Sequence, residues 1–335
     1  MVLTVLTRKC LIKFIEDNIL WMHDELKDMG RQIVQQGSLG DPRQWSRLWD
    51  HDKILTVLKN EKVNGDFLVH SPPVITIICK MYHPFVSTSP KAKSQRSGDG
   101  DGGIGSLKTR KLEKFSLKNC RSLKRLPDCI GKLSSLKELS LDSSALEELP
   151  YSIGLLEELE KLNLMRCKSL TAIPDSIGNL KSLEELLFDS SSIKELPASV
   201  GSLFRLKNLS LGYCRSLSKL PDSIEGLASL VELRLEGTLI TEVPVQIGTL
   251  NLVKKLEMGN CQLLKYLPQS IGKMLSITTL VLDESRITEL PESIGMLERL
   301  IVLKLNKCKQ LQRLPSSIGN LKSLQYSTFL WQKLR

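Results

Sequence analysis

Apolar residues in the second part of the chain follow a short alternating pattern that recurs at regular intervals. Residues 159–174 have the form Leu-x-x-Leu-x-Leu-x-x-Cys-x-x-Leu-x-x-Ile-Pro. Residues 183–197 have a shorter form, Leu-x-x-Leu-x-Phe-x-x-Ser-x-Ile-x-x-Leu-Pro, and the two kinds of unit alternate along the chain. The alternation of Leu-x-Leu is that of a short β-strand with its leucines on one face. Each unit therefore predicts one strand whose leucines point inward.

The prolines that close these units show how often the pattern recurs. They follow Leu, Ile or Val at alternating intervals of 23 and 24 residues, at positions 127, 150, 174, 197, 221, 244, 268, 291 and 315. Self-similarity at such a period is typical of a solenoid, in which no unit buries its apolar face alone. Nine full units are predicted, and a tenth begins at Leu324, after which the pattern dissolves.

The segment between two strands has its own recurring form, Pro-x-x-Ile-Gly-x-Leu. We expect it to return the chain along the outer face, with the glycine permitting a tight turn. The units resemble leucine-rich repeats. That resemblance implies an α/β solenoid, a leucine-rich repeat horseshoe with a parallel concave sheet whose strands lie ~4.8 Å apart.

Five cysteines recur on every second unit, 47 residues apart, at positions 120, 167, 214, 261 and 308. Their separation along the stack is ~10 Å, beyond the ~7 Å limit for a disulfide. No histidine accompanies them, so the pattern argues against a metal site. We expect structural thiols that satisfy backbone groups where the strand ends, and buried free thiols suit a reducing cytosol or nucleus.

Side chains that flank the inward leucines point to the concave surface. In each short unit, the residue two positions before the Ser or Thr that closes the strand is Asp or Glu. We call this series the acidic ladder, and apolar residues interrupt it. Two interpretations stay open: cross-strand charge pairing, and a ligand-binding face, since solenoids commonly bind along their concave side. The candidate ligand-face residues are Asp142, Met165, Leu187, Asp189, Tyr213, Glu236 and Asp283.

Positive charge is concentrated in one block of the chain. Of the net charge of +10, residues 80–125 hold +9, from twelve bases and three acids. This block suggests either an acidic partner, such as nucleic acid, or a solvated linker. Residues 91–111 contain no aromatic side chain for base stacking, which argues against nucleic acid. No apolar stretch approaches the ~18–20 residues of a membrane span.

The first 60 residues follow a different pattern. Two apolar runs, 11–15 and 19–22, flank a polar turn and predict a hairpin. Asp24 is a candidate cap for a helix with one apolar face, and a second helix is predicted around residues 54–58. A hairpin with helices is a fragment of a winged-helix unit. We therefore expect a small winged-helix-like α+β fragment before the repeats.

Part of this segment carries a family resemblance. Residues 20–34 have the sequence Leu-Trp-Met-His-Asp-x-Leu-x-Asp-Met-Gly-Arg-x-Ile-Val, and Arg-Leu-Trp-Asp follows at 47–50. They resemble the end of the nucleotide-binding region of plant TIR-NB-LRR disease resistance proteins (Toll/interleukin-receptor, nucleotide-binding, leucine-rich repeat). In that family the histidine of the Met-His-Asp motif contacts the β-phosphate of ADP and holds the receptor off. The resemblance places that role on His23, with Asp24 supporting the inactive arrangement.

The resemblance also divides the chain. It covers residues 1–60, as the end of a nucleotide-binding region in a partial winged helix, and the leucine-rich repeats at 104–324. The segments outside it are predicted to be an irregular linker at 61–103 and a degenerate tail at 325–335. The phosphate-binding sequence Gly-x-x-x-x-Gly-Lys-Ser/Thr is absent from this sequence. We therefore expect no cofactor in this fragment, with ADP or ATP implied for the full-length family. Packing of His23 beside the hairpin is the alternative to nucleotide contact.

No catalytic machinery can be assembled from the histidines. All four, at positions 23, 51, 70 and 83, lie outside the repeats, and none has the spacing of a nucleophile–base pair. The chain is therefore predicted to be a non-catalytic recognition module, and the resemblance assigns it to a plant intracellular immune receptor in defence signalling. Its expected partner is a protein ligand (a pathogen effector or a host protein) or its own switch domain, held in autoinhibition.

The expected compartment is the cytoplasm, with the nucleus as the other candidate, and no membrane partner is expected. The alternative function is a free-standing cytosolic scaffold of the Ras-group repeat type, which shares Leu-Pro-x-x-Ile-Gly-x-Leu. A receptor-kinase ectodomain fits less well, because such ectodomains resemble Asn-x-Leu-x-Gly-x-Ile-Pro repeats with several glycosylation sequons.

Overall fold

A computed structural model of the chain describes residues 12–15, 19–22, 112–121 and 123–328. The described strands form one sheet, and their order in the sheet follows their order in the chain. They are β1 (Ile12–Ile15), β2 (Ile19–Met22), β3 (Lys114–Ser116), β4 (Glu138–Ser140), β5 (Lys161–Asn163), β6 (Glu185–Leu187), β7 (Asn208–Ser210), β8 (Glu232–Arg234), β9 (Lys255–Glu257), β10 (Thr279–Val281), β11 (Val302–Lys304) and β12 (Tyr326–Thr328).

The strands β3 to β12 pair in parallel, each with the strand of the next unit along the chain. Their register places the inward leucines on neighbouring rungs, as at Leu162, Leu186 and Leu209. These three side chains have no exposed surface, and the same core extends from Leu112 to Leu321. The predicted solenoid with a parallel sheet is confirmed.

Each return segment is a five-residue 3₁₀ helix that begins after the recurring proline. The amide of Ile177 donates to the carbonyl of Pro174 at 3.0 Å, which is the i→i+3 bond of a 3₁₀ turn. Proline suits the preceding position because it lacks an amide and fixes its own φ, here −70°. The helices are Asp128–Lys132, Tyr151–Leu155, Asp175–Asn179, Ala198–Ser202, Asp222–Gly226, Val245–Thr249, Gln269–Lys273, Glu292–Met296 and Ser316–Asn320.

The cysteines satisfy backbone groups where the strands end, as predicted. The thiol of Cys167 donates to the carbonyl of Leu141 in the preceding unit at 3.2 Å and lies 3.4 Å from the hydroxyl of Ser144. The same pair of contacts, to a carbonyl and to Ser or Thr, recurs at Cys214, Cys261 and Cys308. The described cysteines are free of disulfides.

This arrangement predicts slow thiol chemistry. Burial raises the pKa of Cys120 to about 12, and burial also raises the pKa of Cys167, against the lowering effect of its bond with Ser144. Because the thiolate is the reactive form, we expect Cys167 to react with an aromatic disulfide reagent at pH 8 about a hundredfold more slowly than the half-buried Cys129. Time-resolved labelling with peptide mass spectrometry measures both rates. Equal rates would contradict the buried contacts.

The sheet extends past both ends of the full repeats. β12 pairs with β11 and places Ser327 opposite Leu303. Edge-strand backbone groups pair with any added strand, whatever its side chains, so the ladder continues after the leucine pattern has dissolved.

At the other end β1 and β2 form the predicted antiparallel pair, and Ile19 pairs with Lys114. His23, the predicted winged-helix helices and the linker 61–103 lie outside the described residues.

Candidate functional site

Three rows of side chains cross the sheet on the face directed away from the core. The first row precedes the inward leucines: Lys114, Glu138, Lys161, Glu185, Asn208, Glu232, Lys255, Thr279 and Val302. The second row lies between them: Ser116, Ser140, Asn163, Leu187, Ser210, Arg234, Glu257, Val281 and Lys304. The third row follows them: Lys118, Asp142, Met165, Asp189, Gly212, Glu236, Gly259, Asp283 and Asn306.

The structure brings the seven predicted ligand-face residues to this surface or its edge. Five of them lie in the third row and Leu187 lies in the second. Tyr213 lies one residue beyond the third row, where it has a φ of 57° and 44% of its surface exposed. Their role in binding stays a prediction.

Charges in the first row are paired across neighbouring strands. Lys114 lies 3.0 Å from Glu138, and Lys161 lies 2.6 Å from Glu185. These pairs confirm the cross-strand interpretation for this row. Since the side chains are partly exposed, each pair contributes only a few tenths of a kcal/mol to stability.

The acids of the third row have different surroundings. Asp142 lies 3.7 Å from Lys118. Asp142 also accepts a hydrogen bond from the Ser140 hydroxyl at 3.2 Å. Asp189 accepts hydrogen bonds from the Ser210 hydroxyl at 2.7 Å and the Gly212 amide at 3.1 Å. Asp283 accepts one from the amide of Asn306 at 2.6 Å. Within the described part of the chain, Asp189, Glu236 and Asp283 form no salt bridge.

A charge network lies at the centre of the face, on β8 and β9. Glu232 lies 2.8 Å from Arg234 and 2.9 Å from Lys255. Glu257 pairs with the same two bases, at 3.2 Å and 2.9 Å. Arg234 and Glu257 were not among the residues predicted from the sequence to lie on the ligand face. The sequence could have indicated them, because the second row is mostly uncharged and they are opposite charges on adjacent strands.

Glu232 and Glu236 belong to the same unit, yet their pKa values are shifted in opposite directions. Burial would raise the pKa of Glu232, but hydrogen bonds from Lys255 and Arg234 and their charges lower it below its ordinary value. Burial raises the pKa of Glu236, and the negative charges of Glu257 and Asp189 raise it further, against the opposing charge of Arg234. The fold therefore favours the charged form of Glu232 and disfavours that of Glu236.

The two acids give a matched pair of stability predictions. At pH 7, Glu232→Gln should lower the free energy of unfolding by about 1 kcal/mol, because the contribution of a carboxylate with a lowered pKa is present above its unfolded pKa. Glu236→Gln should leave stability unchanged or raise it at pH 7, and any gain should vanish once the pH falls below 4.5, where the wild-type carboxyl is protonated. Thermal melts at both pH values measure this, and equal losses at pH 7 would contradict it.

Beyond the network the first row carries uncharged side chains, and the second row continues with Val281 and Lys304. Thr279, Val302 and Tyr326 lie on neighbouring rungs, and Val281 lies in the second row of the same strand as Thr279. Tyr326 has 64% of its surface exposed. The face therefore offers carboxylates at its centre and apolar contacts toward its C-terminal end.

The described residues hold no group of three or more His, Cys, Asp or Glu side chains placed to bind a metal. The same residues include no helix with the length and apolar character needed to cross a bilayer. The face carries carboxylates, paired cations and apolar side chains.

Comparison with known proteins agrees with this architecture. Residues 104–197 match a family model described as a leucine-rich repeat region. The units are leucine-rich repeats. A sequence comparison with curated proteins gave no match.

Solved structures share the leucine-rich repeat fold. The leucine-rich repeat domain of the type III effector XCV3220 (XopL) is 20% identical with a TM-score of 0.54, covering 90% of this chain and 94% of that chain. The Toll–Spatzle complex of Drosophila is 18% identical with a TM-score of 0.57, and the Arabidopsis receptor kinase HAESA, in complex with the peptide hormone IDA and the co-receptor SERK1, is 24% identical with a TM-score of 0.51. Each covers 65% of this chain, which spans 33% of the Toll chain and 38% of the HAESA chain.

Proposed function

We propose that the chain is a non-catalytic recognition module that binds a protein ligand on the concave face of its leucine-rich repeats. One observation carries the proposal: first-row charges near the N-terminal end are paired, whereas Asp189, Glu236 and Asp283 form no salt bridge within the described residues. Acids that form no salt bridge, on a face that also carries Leu187 and Val281, favour an interaction surface over cross-strand pairing alone. Similar folds occur in complexes, of HAESA with a peptide hormone and of Toll with Spatzle.

The setting that we propose for this module is a plant intracellular immune receptor that acts in defence signalling, in the cytoplasm or the nucleus. Support comes from the Met-His-Asp segment, its flanking residues in 20–34, the Arg-Leu-Trp-Asp at 47–50 and the Leu-Pro-x-x-Ile-Gly-x-Leu repeat form. The ligand would be a pathogen effector, a host protein or the receptor's own switch domain. The role of His23 as an ADP contact rests on the motif alone.

Co-precipitation from leaf tissue tests this proposal. The tagged full chain is compared with Leu187→Arg on the concave face and with Tyr151→Arg, which lies in a 3₁₀ helix and is 71% exposed. We expect a protein that is recovered with the wild type and with Tyr151→Arg but lost with Leu187→Arg. Its identity then separates an effector or host target from a switch domain. Equal recovery with all three chains would contradict binding on the concave face.

A free-standing cytosolic scaffold of the Ras-group type is the second candidate, favoured by its shared repeat form. Nucleotide content after native purification bears on both candidates. We expect none, because His23 without a phosphate-binding loop offers too few contacts. ADP in near-stoichiometric amounts, lost on His23→Ala, would overturn the proposal of a pure binding module and favour a retained receptor switch.

A further inference from the structure

Exposed apolar side chains lie on the turns that follow three neighbouring strands, β7 to β9. One position is compared between units: the residue directly before the first inward Leu or Ile that follows the strand-closing Cys, Ser or Thr. In the part of the chain that the structure describes, this position is held by Ala145, Ser169, Ser192, Ser216, Leu239, Leu263, Arg286 and Gln310. Leu239 and Leu263 are 38% and 42% exposed. Because small or polar residues fill the same position in the other units, the fold does not require leucine there.

Tyr213 extends these apolar side chains onto the preceding unit. Its ring packs against Gly237, where an added Cβ would lie 2.6 Å from Cδ1 of the ring. Gly237 has a φ of 66°, and the described units otherwise carry a side chain at its position. The glycine thus makes room for the ring beside the turn that leads to Leu239. The hydroxyl of Thr238 lies 3.5 Å from the thiol of Cys261, so the turns after β8 and β9 lie side by side.

An arginine lies at each end of the apolar edge strip, as we call Tyr213, Leu239 and Leu263. Arg215 belongs to the first unit of the strip, and Arg286 belongs to the unit after its last. Both side chains are exposed, and neither forms a salt bridge within the described residues.

The nearby acid on the turn of Arg286 is already paired. Glu284 lies 2.6 Å from Lys307 of the following unit. The strip therefore has a cation available for a ligand at each end.

This combination has the anatomy of a protein interface. Exposed apolar patches with a polar border mark interaction sites, and Tyr and Arg are common among the residues that dominate binding energy. A guanidinium group pairs with a carboxylate through two parallel hydrogen bonds, so the two arginines favour an acidic ligand. Two cations attract an anionic membrane only weakly, which favours a protein segment over a lipid surface.

We propose that the apolar edge strip docks an extended protein segment in which apolar residues lie between two acids, and that these acids pair with Arg215 and Arg286. The strip borders the concave face and is a second binding surface, beyond the proposed function. The two arginines are three units apart, which is ~14 Å at the ~4.8 Å spacing of neighbouring strands. An extended segment covers ~14 Å in about four residues. The two acids should therefore be at positions i and i+4 of the ligand.

Peptide selection on the full chain tests the proposal. A random dodecapeptide library displayed on phage is first depleted on Leu239→Ser/Leu263→Ser, which places at both sites the serine of units such as that of Ser192. Depletion removes the peptides that bind elsewhere, and the remainder is selected on the wild type. We expect peptides with two acids about four residues apart and apolar residues between them. Their affinity, measured by calorimetry, should fall at least about tenfold in Arg215→Gln/Arg286→Gln.

Arg121→Gln/Lys168→Gln is the matched control. Arg121 and Lys168 directly follow a strand-closing cysteine, as Arg215 does, and both are exposed, but they lie on units before the strip. This variant removes the same number of charges and should change affinity less than about twofold, because exposed charges at a distance are screened. Thermal melts of each variant show that it is folded.

The proposal is overturned if no peptide is enriched after depletion, if the enriched peptides lack the spaced acids, or if the two charge variants weaken binding equally. Sedimentation with vesicles of phosphatidylserine and phosphatidylcholine tests the other occupant. Vesicle binding that is lost in Leu239→Ser/Leu263→Ser would assign the strip to a membrane surface and also overturn the proposal.

One further variant separates this inference from the proposed function. Leu187→Arg should change the affinity of the enriched peptides less than about twofold, since Leu187 lies on the concave face. A larger loss would place the peptides on that face and contradict binding at the strip. Recognition on the concave face is tested by co-precipitation with the same variant, so either proposal can fail without the other.

Discussion

Replacing Gly178 by alanine should lower the free energy of unfolding by about 3 kcal/mol. The added Cβ would meet the backbone carbonyl of Ser199 in the next unit, closer than real Cβ contacts allow. That carbonyl cannot rotate away as a flexible side chain can, so the two units must move apart and loosen the core between them. The same approach recurs at Gly154, Gly248, Gly272 and Gly295, which accounts for glycine in the return segment. Urea denaturation followed by circular dichroism measures the loss.

Gly319 provides the control, since it is the equivalent glycine of the last full unit and a Cβ there meets nothing within 4 Å. Gly319→Ala should change stability by less than about 0.5 kcal/mol. One interior unit has Glu225 at this position and glycine at the next, Gly226, whose Cβ would meet the carbonyl of Gly201. Equal losses for Gly178→Ala and Gly319→Ala would show that unit-to-unit contact does not explain the glycines.

Phe188→Ala should lower the free energy of unfolding by about 4 kcal/mol, which is more than Phe188→Leu should. Phe188 occupies the second inward position of its unit, next to Leu164 and Leu211 in the neighbouring units, and all three are fully buried. Because only the adjacent units cover this side chain, the cavity weakens two interfaces at once. The same urea titration measures the shift in midpoint.

Phe188→Leu separates cavity formation from the loss of a specific aromatic contact. Leucine fills this position in most other units, so the substitution should cost less than about 1.5 kcal/mol. A cost for Phe188→Ala below that of Phe188→Leu would contradict a close-packed core at this point.

The repeat architecture was predictable because every unit makes the same physical demands. Inward leucines alternate with surface residues, proline precedes each return segment, and a small polar residue closes each strand. Repetition of these features along the chain outweighs the ambiguity of any single short apolar run. The pairing of Ile12–Ile15 with Ile19–Met22 was predictable for a similar reason, since two apolar runs flank a polar segment in the sequence.

The remaining features depend on geometry that periodicity does not encode. β12 forms because an edge backbone accepts another strand, although Ser327 replaces the inward leucine. The charge network on β8 and β9 depends on which neighbouring side chains come within contact distance. These are Glu232, Arg234, Lys255 and Glu257. Asp142 and Asp189 look alike in the sequence, yet one faces Lys118 and the other accepts hydrogen bonds from Ser210 and Gly212. The identity of the neighbouring third-row residue, Lys or Gly, makes this difference.

Site-specific photo-cross-linking tests most directly whether the concave face is the recognition surface. A benzophenone amino acid replaces Leu187 or Val281 on the concave face, and Tyr151 or Val245 in the 3₁₀ helices, where the native side chains are 71% and 65% exposed. Each variant is irradiated with the protein ligand recovered from leaf tissue. If the proposal holds, we expect adducts from Leu187 and Val281 alone. Adducts formed only from Tyr151 or Val245 would contradict recognition through the concave sheet.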